Sequence, residues 1–177
     1  MDSNQILQSF QKVTERYIQE IERLEWEQML RKPSEDEWSL GQMYMHLINS
    51  ALYMQLKNAE ACLDHSTAAA PAEEKTERGR AVFAQGSFPP IAIRVPPSDQ
   101  YIPPQPAGKD QIIDGLMQVV SRMQDIEPQL KGVSLAYTRP HPGFGGLNAK
   151  EWFWLVEMHY RHHLHQQERL KAWLRTG

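Results

Sequence analysis

His159 and His163 are four residues apart in the last predicted helix. On a wheel of 100° per residue they fall in one broad stripe with Trp152, Leu155, Val156, Gln166, Leu170 and Trp173. The i,i+4 spacing puts both imidazoles on adjoining turns of one face. Apolar surroundings are a costly place for two such rings unless something binds them. With a third histidine from a neighbouring helix they would form a three-nitrogen metal site with a coordination position left open. His46, at the border of the apolar arc of the second predicted helix, is a candidate for that third ligand. His141, in the proline- and glycine-rich loop before the last helix, competes with it. Glu157, Arg161, His165 and Glu168 fall on the opposite side of the wheel and are expected to be solvated. His162 lies at the stripe's edge, and His65 is expected to be exposed. Gln166 is placed to hydrogen-bond a ligand. Tyr44, Tyr53, Tyr160 and Arg161 are near the site in sequence, although packing explains the tyrosines equally well.

Four long helices must position these residues. Ile6, Phe10, Val13, Tyr17, Ile21 and Leu24 follow a three-and-four spacing that predicts one amphipathic helix over 3–28. Ser39-Leu40-Gly41-Gln42 has the form of a capping box, with Trp38 placed to staple onto Met43. The helix it opens is expected to run to about Leu63. Eight of the 12 prolines lie between Pro71 and Pro106, so a long helix is excluded there. Phe83, Phe88, Ile91, Ile93, Val95, Tyr101 and Ile102 supply apolar anchors, which favours an ordered crossover with a short helix near Glu73–Phe83. A third long helix is predicted from Lys109 to Leu130, stopped by Gly132. Residues 139–146 are expected to form a rigid turn-rich loop. Asn148 and Glu151 then cap the last helix, and Leu147 can staple onto Trp152. Trp154, off the main stripe, marks either a homodimer contact or packing beneath the crossover. No convincing strand pattern appears, so the expected fold is an all-α four-helix bundle, one domain over 1–177.

A net charge of −3 without a dense basic stripe argues against nucleic acid as the main partner. No segment approaches the ~20 apolar residues of a membrane span. The N-terminal stretch lacks a basic region followed by an apolar run, and the single cysteine, Cys62, excludes an internal disulfide. A cytoplasmic location is expected. No glutamate stands three residues before a histidine, which excludes the di-iron carboxylate unit, and the His-Glu-x-x-His protease motif is absent.

The segment Trp38-Ser39-Leu40-Gly41-Gln42-Met43-Tyr44-Met45-His46-Leu47 resembles the tryptophan-serine-to-histidine-leucine signature of DinB-like (YfiT-like) helical metalloproteins. The stretch from His141-Pro142 through Phe144-Gly145 and Glu151-Trp152 to His159-Tyr160-Arg161-His162-His163 is similar to their second signature. The resemblance implies an up-down-down-up four-helix bundle with the proline-rich crossover between helices 2 and 3. It also implies a metal triad of His46, His159 and His163. Three neutral imidazoles suit zinc, nickel or iron(II). An ion there would lower the pKa of a coordinated water toward ~7 or hold a thiolate. Relatives include metal-dependent transferases and isomerases using low-molecular-weight thiols, so the implied partners are a small-molecule substrate and such a thiol. The alternatives are a non-catalytic metal-binding stress-response bundle and a metal-dependent hydrolase. The family name refers to induction by DNA damage and implies no DNA binding.

Overall fold

The apolar spacing at the start of the chain builds α1 (Ser3–Arg23), which buries Ile6, Phe10, Val13, Tyr17 and Ile21. Asp2 caps it, its carboxylate accepting from the Gln5 amide at 2.8 Å. A computed structural model describes residues 1–64, 73–89 and 102–176. The single helix expected over 3–28 is interrupted: Leu24 is extended, and α2 (Trp26–Leu30) restarts the chain. The restart has a local cause, because the Gln28 carboxamide oxygen accepts from the Glu25 amide at 2.9 Å.

The predicted capping box forms at the head of α3 (Leu40–Ser50). Ser39 Oγ accepts from the Gln42 amide, and Gln42 Oε1 accepts from the Ser39 amide, each at 3.1 Å. The helix continues through a π-helical segment, Ala51–Gln55, into α4 (Leu56–Leu63). In the π segment the Leu56 amide bonds back five residues to Ala51.

Within the crossover, α5 (Glu77–Gln85) is the short helix, lying slightly later than expected. Phe83 and Phe88 pack against the core, whereas Ile102 is exposed. His65, Ile91, Ile93, Val95 and Tyr101 lie outside the described residues, and so does most of the expectation of an ordered crossover. Then comes α6 (Lys109–Ile126), which buries Ile112, Leu116, Val119, Val120, Met123 and Ile126. It tightens into a 3-10 turn (Glu127–Leu130), and Gly132 follows in the left-handed region at φ +73°.

The loop expected at 139–146 is a correction. Here β1 (Thr138–His141) pairs antiparallel with β2 (Gly145–Asn148), so the described fold is mostly helical with a two-stranded sheet. Pro140 and the glycines hide strands only four residues long. Much of their support also comes from distant residues: the Thr76 amide donates to Phe144 and the Gly146 amide to Glu74. This docking is close, since a Cβ on Gly79 would lie 2.3 Å from the Phe144 carbonyl oxygen.

Finally, α7 (Ala149–Thr176) opens on the predicted Asn148–Glu151 box, with bonds of 3.0 and 3.1 Å. It packs against α1 on one side and against α3, the π segment and α4 on another, while α6 contacts α1 and α3. Among the described residues, no helix is long and apolar enough to cross a membrane.

Candidate metal centre

Two elements bring the histidines together. α3 carries His46, and its contact with α7 brings that ring to His159 and His163. From the other side α1 holds α7 in place: the Tyr17 hydroxyl donates to the Tyr160 carbonyl at 2.6 Å, one residue beyond His159. His159 Nε2 lies 3.1 Å from His46 Nε2 and 3.1 Å from His163 Nε2. Among the described residues, these three form the cluster whose ligand atoms all fall within 4.8 Å of one another. Zinc–nitrogen bonds of about 2.0–2.1 Å at a tetrahedral centre would separate two nitrogens by ~3.3 Å, close to what is found.

The outer nitrogens turn away from that point toward polar partners. His163 Nδ1 is 2.7 Å from Gln166 Oε1, His159 Nδ1 is 3.3 Å from Gln55 Nε2, and His46 Nδ1 is 3.5 Å from Ser50 Oγ. A carboxamide oxygen only accepts, so Gln166 keeps the His163 proton on Nδ1 and leaves its Nε2 as a bare lone pair. Burial holds all three rings neutral. It pushes His46 down to about 4, and His159 well below the usual histidine range, reinforced by His163 and His46. Burial and then His46 take His163 down to about 3. Three neutral nitrogens converging on one point, with at most one proton available to each pair, make a donor set that fits a divalent cation. The rings are half-buried, with Trp38 beside His46 (centroids 4.9 Å apart) and Phe88 beside His159 (6.3 Å).

The other candidates go elsewhere. His141 lies flat on Phe144, and its Nδ1 accepts from the Gly143 amide at 3.0 Å. His162 and His165 line a separate cleft of about 290 Å³ with Phe88, Met158 and Arg161. Tyr44 and Tyr160 are fully buried, with Gln167 donating to the Tyr44 hydroxyl, and Tyr53 is 72 % exposed. Trp154 packs on Phe83 and close to Gly86, the second of its two expected settings.

The expectation of a solvated Glu157 is a correction. Its side chain is 1 % exposed, accepting from Ser9 at 2.9 Å and from Arg161 at 2.8 Å. A helix wheel assigns one inner face, whereas α7 is covered by α1 on this side as well. Arg161 also donates to the Gly86 carbonyl at 2.7 Å. Sequence reasoning sets Ser50 beside His46 without giving it a role, and it missed Gln55. Ser50 is one turn beyond His46, a spacing that also allows its contact with Nδ1; Gln55 gave no such signal.

No curated protein matches this chain. The family model of the DinB superfamily matches residues 9–167, a span that contains the whole histidine cluster, all of α3 and α7 as far as Gln167. The chain belongs to the DinB superfamily.

Proposed function

We propose that this protein is a metal-dependent enzyme that transfers a low-molecular-weight thiol to an electrophilic small molecule. His46, His159 and His163 would hold a divalent ion, zinc, nickel or iron(II), through their Nε2 atoms. The observation that carries the reading is the convergence of those three nitrogens, each at 3.1 Å from its neighbour across His159. When bound, such an ion supplies a Lewis-acid position at which water or a thiol loses its proton near neutral pH.

This chain's own residues then have three tasks. Gln166, Gln55 and Ser50 orient the imidazoles. Trp38 and Phe88 flank the cluster with apolar surface suited to a carbon electrophile. The sulfur nucleophile must come from outside. Cys62, the single cysteine, is buried with its thiol on the Leu147 carbonyl at 3.6 Å, and burial pushes it up to about 11. The thiol class is supported by the resemblance of the two histidine signatures to DinB-like metalloproteins, whose members include thiol-using transferases and isomerases.

Protein purified without a histidine tag should contain about one equivalent of metal by elemental analysis. His163→Ala should abolish it, and unchanged metal content in that variant would remove the site. Metal-loaded protein should consume thiol in the presence of an electrophile from a broad panel. Consumption with none of them would remove the transferase reading and leave the metal site standing.

A second reading, a non-catalytic metal-binding protein, is favoured by one observation. Tyr44 and Tyr160 are enclosed in the core, Arg161 is held by Glu157, and Tyr53 faces solvent, so these neighbours offer no evident acid or base. Turnover of any substrate would exclude it. A hydrolase would show turnover without added thiol.

A further inference from the structure

The run from Leu40 to Leu63 is helical throughout, yet its middle five residues are wound as a π-helix. The winding changes which residues can reach the histidine cluster. Gln55 lies nine residues beyond His46, which at 100° per residue is ~180° away, the opposite face of a regular α-helix. A π turn accommodates about one extra residue, leaving Gln55 roughly 80° from His46. The carboxamide therefore reaches His159 from the same helical run that carries His46. Arg122 of α6 supports the segment from outside, donating to the Leu52 carbonyl at 2.7 Å and to Glu60 Oε1 at 2.7 Å.

The contact carries a contradiction that identifies its role. Gln55 Nε2 faces His159 Nδ1 at 3.3 Å, while Gln55 Oε1 is buried without a hydrogen-bond partner. A donor aimed at Nδ1 requires a lone pair there, which would move the His159 proton to Nε2. That nitrogen lies 3.1 Å from Nε2 of both His46 and His163, and one proton can satisfy only one of them. A half-turn about Cγ–Cδ exchanges the carboxamide oxygen and nitrogen, which have nearly the same shape. The orphaned oxygen then accepts from His159 Nδ1–H, and all three Nε2 atoms present lone pairs to a cation.

We infer that Gln55, presented by the π turn, is a positioning residue whose carboxamide oxygen fixes His159 as the Nδ1–H tautomer and so prepares its Nε2 to bind metal. The inference rests on the reading of the three histidines as a metal site. Partners of this kind on the outer nitrogen of a ligating histidine typically change metal affinity by about 10–100-fold.

The test measures zinc affinity by competition with a chelator for the full-length wild type, Gln55→Leu and Gln55→Glu, with circular dichroism melts alongside. Gln55→Leu, which cannot accept, should bind zinc about 10–100-fold more weakly. Gln55→Glu, which can only accept, should bind within about fivefold of the wild type or more tightly. A purely structural role would not separate the two. Gln55→Leu binding within threefold of the wild type would overturn the inference and leave the metal site intact. A wild type that binds no zinc would overturn both. Should Gln55→Leu fail to fold, long-range proton–nitrogen NMR of the metal-free wild type decides. His159 protonated at Nδ1 supports the inference, and His159 protonated at Nε2 refutes it.

Discussion

Arg161 separates chemical from structural roles at the scale of one residue. It sits two positions from both His159 and His163, which made it a candidate participant. Its guanidinium instead meets the buried Glu157 carboxylate at 2.8 and 3.0 Å and the Gly86 carbonyl at 2.7 Å. Arg161→Leu would strand that carboxylate in the core, leaving only Ser9 to donate to it. Stranding a buried charge costs about 3–5 kcal/mol, and the lower end applies here because the guanidinium is partly solvated. Urea denaturation should show that loss, while zinc affinity of the folded variant stays within a few-fold of the wild type. A large drop in affinity with unchanged stability would put Arg161 in the site after all.

Capping is the device that sets where the elements bearing the histidines begin. Ser39 heads the helix that carries His46, and it also donates to Gln105 Oε1 at 2.8 Å. Gln42, its partner in the box, donates to the Pro103 carbonyl at 2.9 Å, so one turn ties α3 to the end of the crossover. Ser39→Ala should destabilise the protein by about 1 kcal/mol, with up to ~2 in reach because the cap is buried. A thermal melt showing no loss would contradict that role. Such caps were legible in the sequence because they are written within four residues, at Ser39–Gln42 and again at Asn148–Glu151. The apolar stripes were legible for the same reason: Phe10, Tyr17 and Ile21 of α1, and Leu116 and Met123 of α6, repeat at helical spacing and are buried. What escaped depends on partners far along the chain. The π turn at Ala51–Gln55 contains no proline, glycine or other mark in residue type, so its extra residue is not legible in the sequence. The β-hairpin leans on Glu73, Glu74 and Thr76, 65–72 positions away, and Glu157 is buried by α1. His46 was only a border residue by periodicity, and it took the resemblance, then the α3–α7 contact, to set it beside His159.

Across the whole molecule, burial of the histidines couples folding to pH, and the proposed metal site would couple it to a cation as well. Burial is the leading cause that lowers His46 and His141 to about 4, His163 to about 3, and His159 well below its usual range. In the unfolded chain these side chains regain protons near 6.5. Between that value and the folded ones the unfolded state binds more protons, so stability must fall as pH falls. The metal-free protein should therefore melt at progressively lower temperature from pH 6.5 down to about 4, and change little between pH 7 and 8. Paired carboxylates such as Glu168 act only at the acid end of that window, so an onset near 6.5 is the histidine signature. Zinc at 100 times its dissociation constant should add about 2.7 kcal/mol at pH 7. For a chain of this size that raises the melting temperature by roughly 5–11 °C. The increment should shrink as the pH drops, because protons and the cation compete for the same Nε2 lone pairs, and it should vanish in His163→Ala at every pH. A zinc increment of the same size in that variant would place the ion elsewhere on the molecule. A flat melting temperature from pH 7 to 5 without metal would mean that the imidazoles are solvated rather than held neutral by burial.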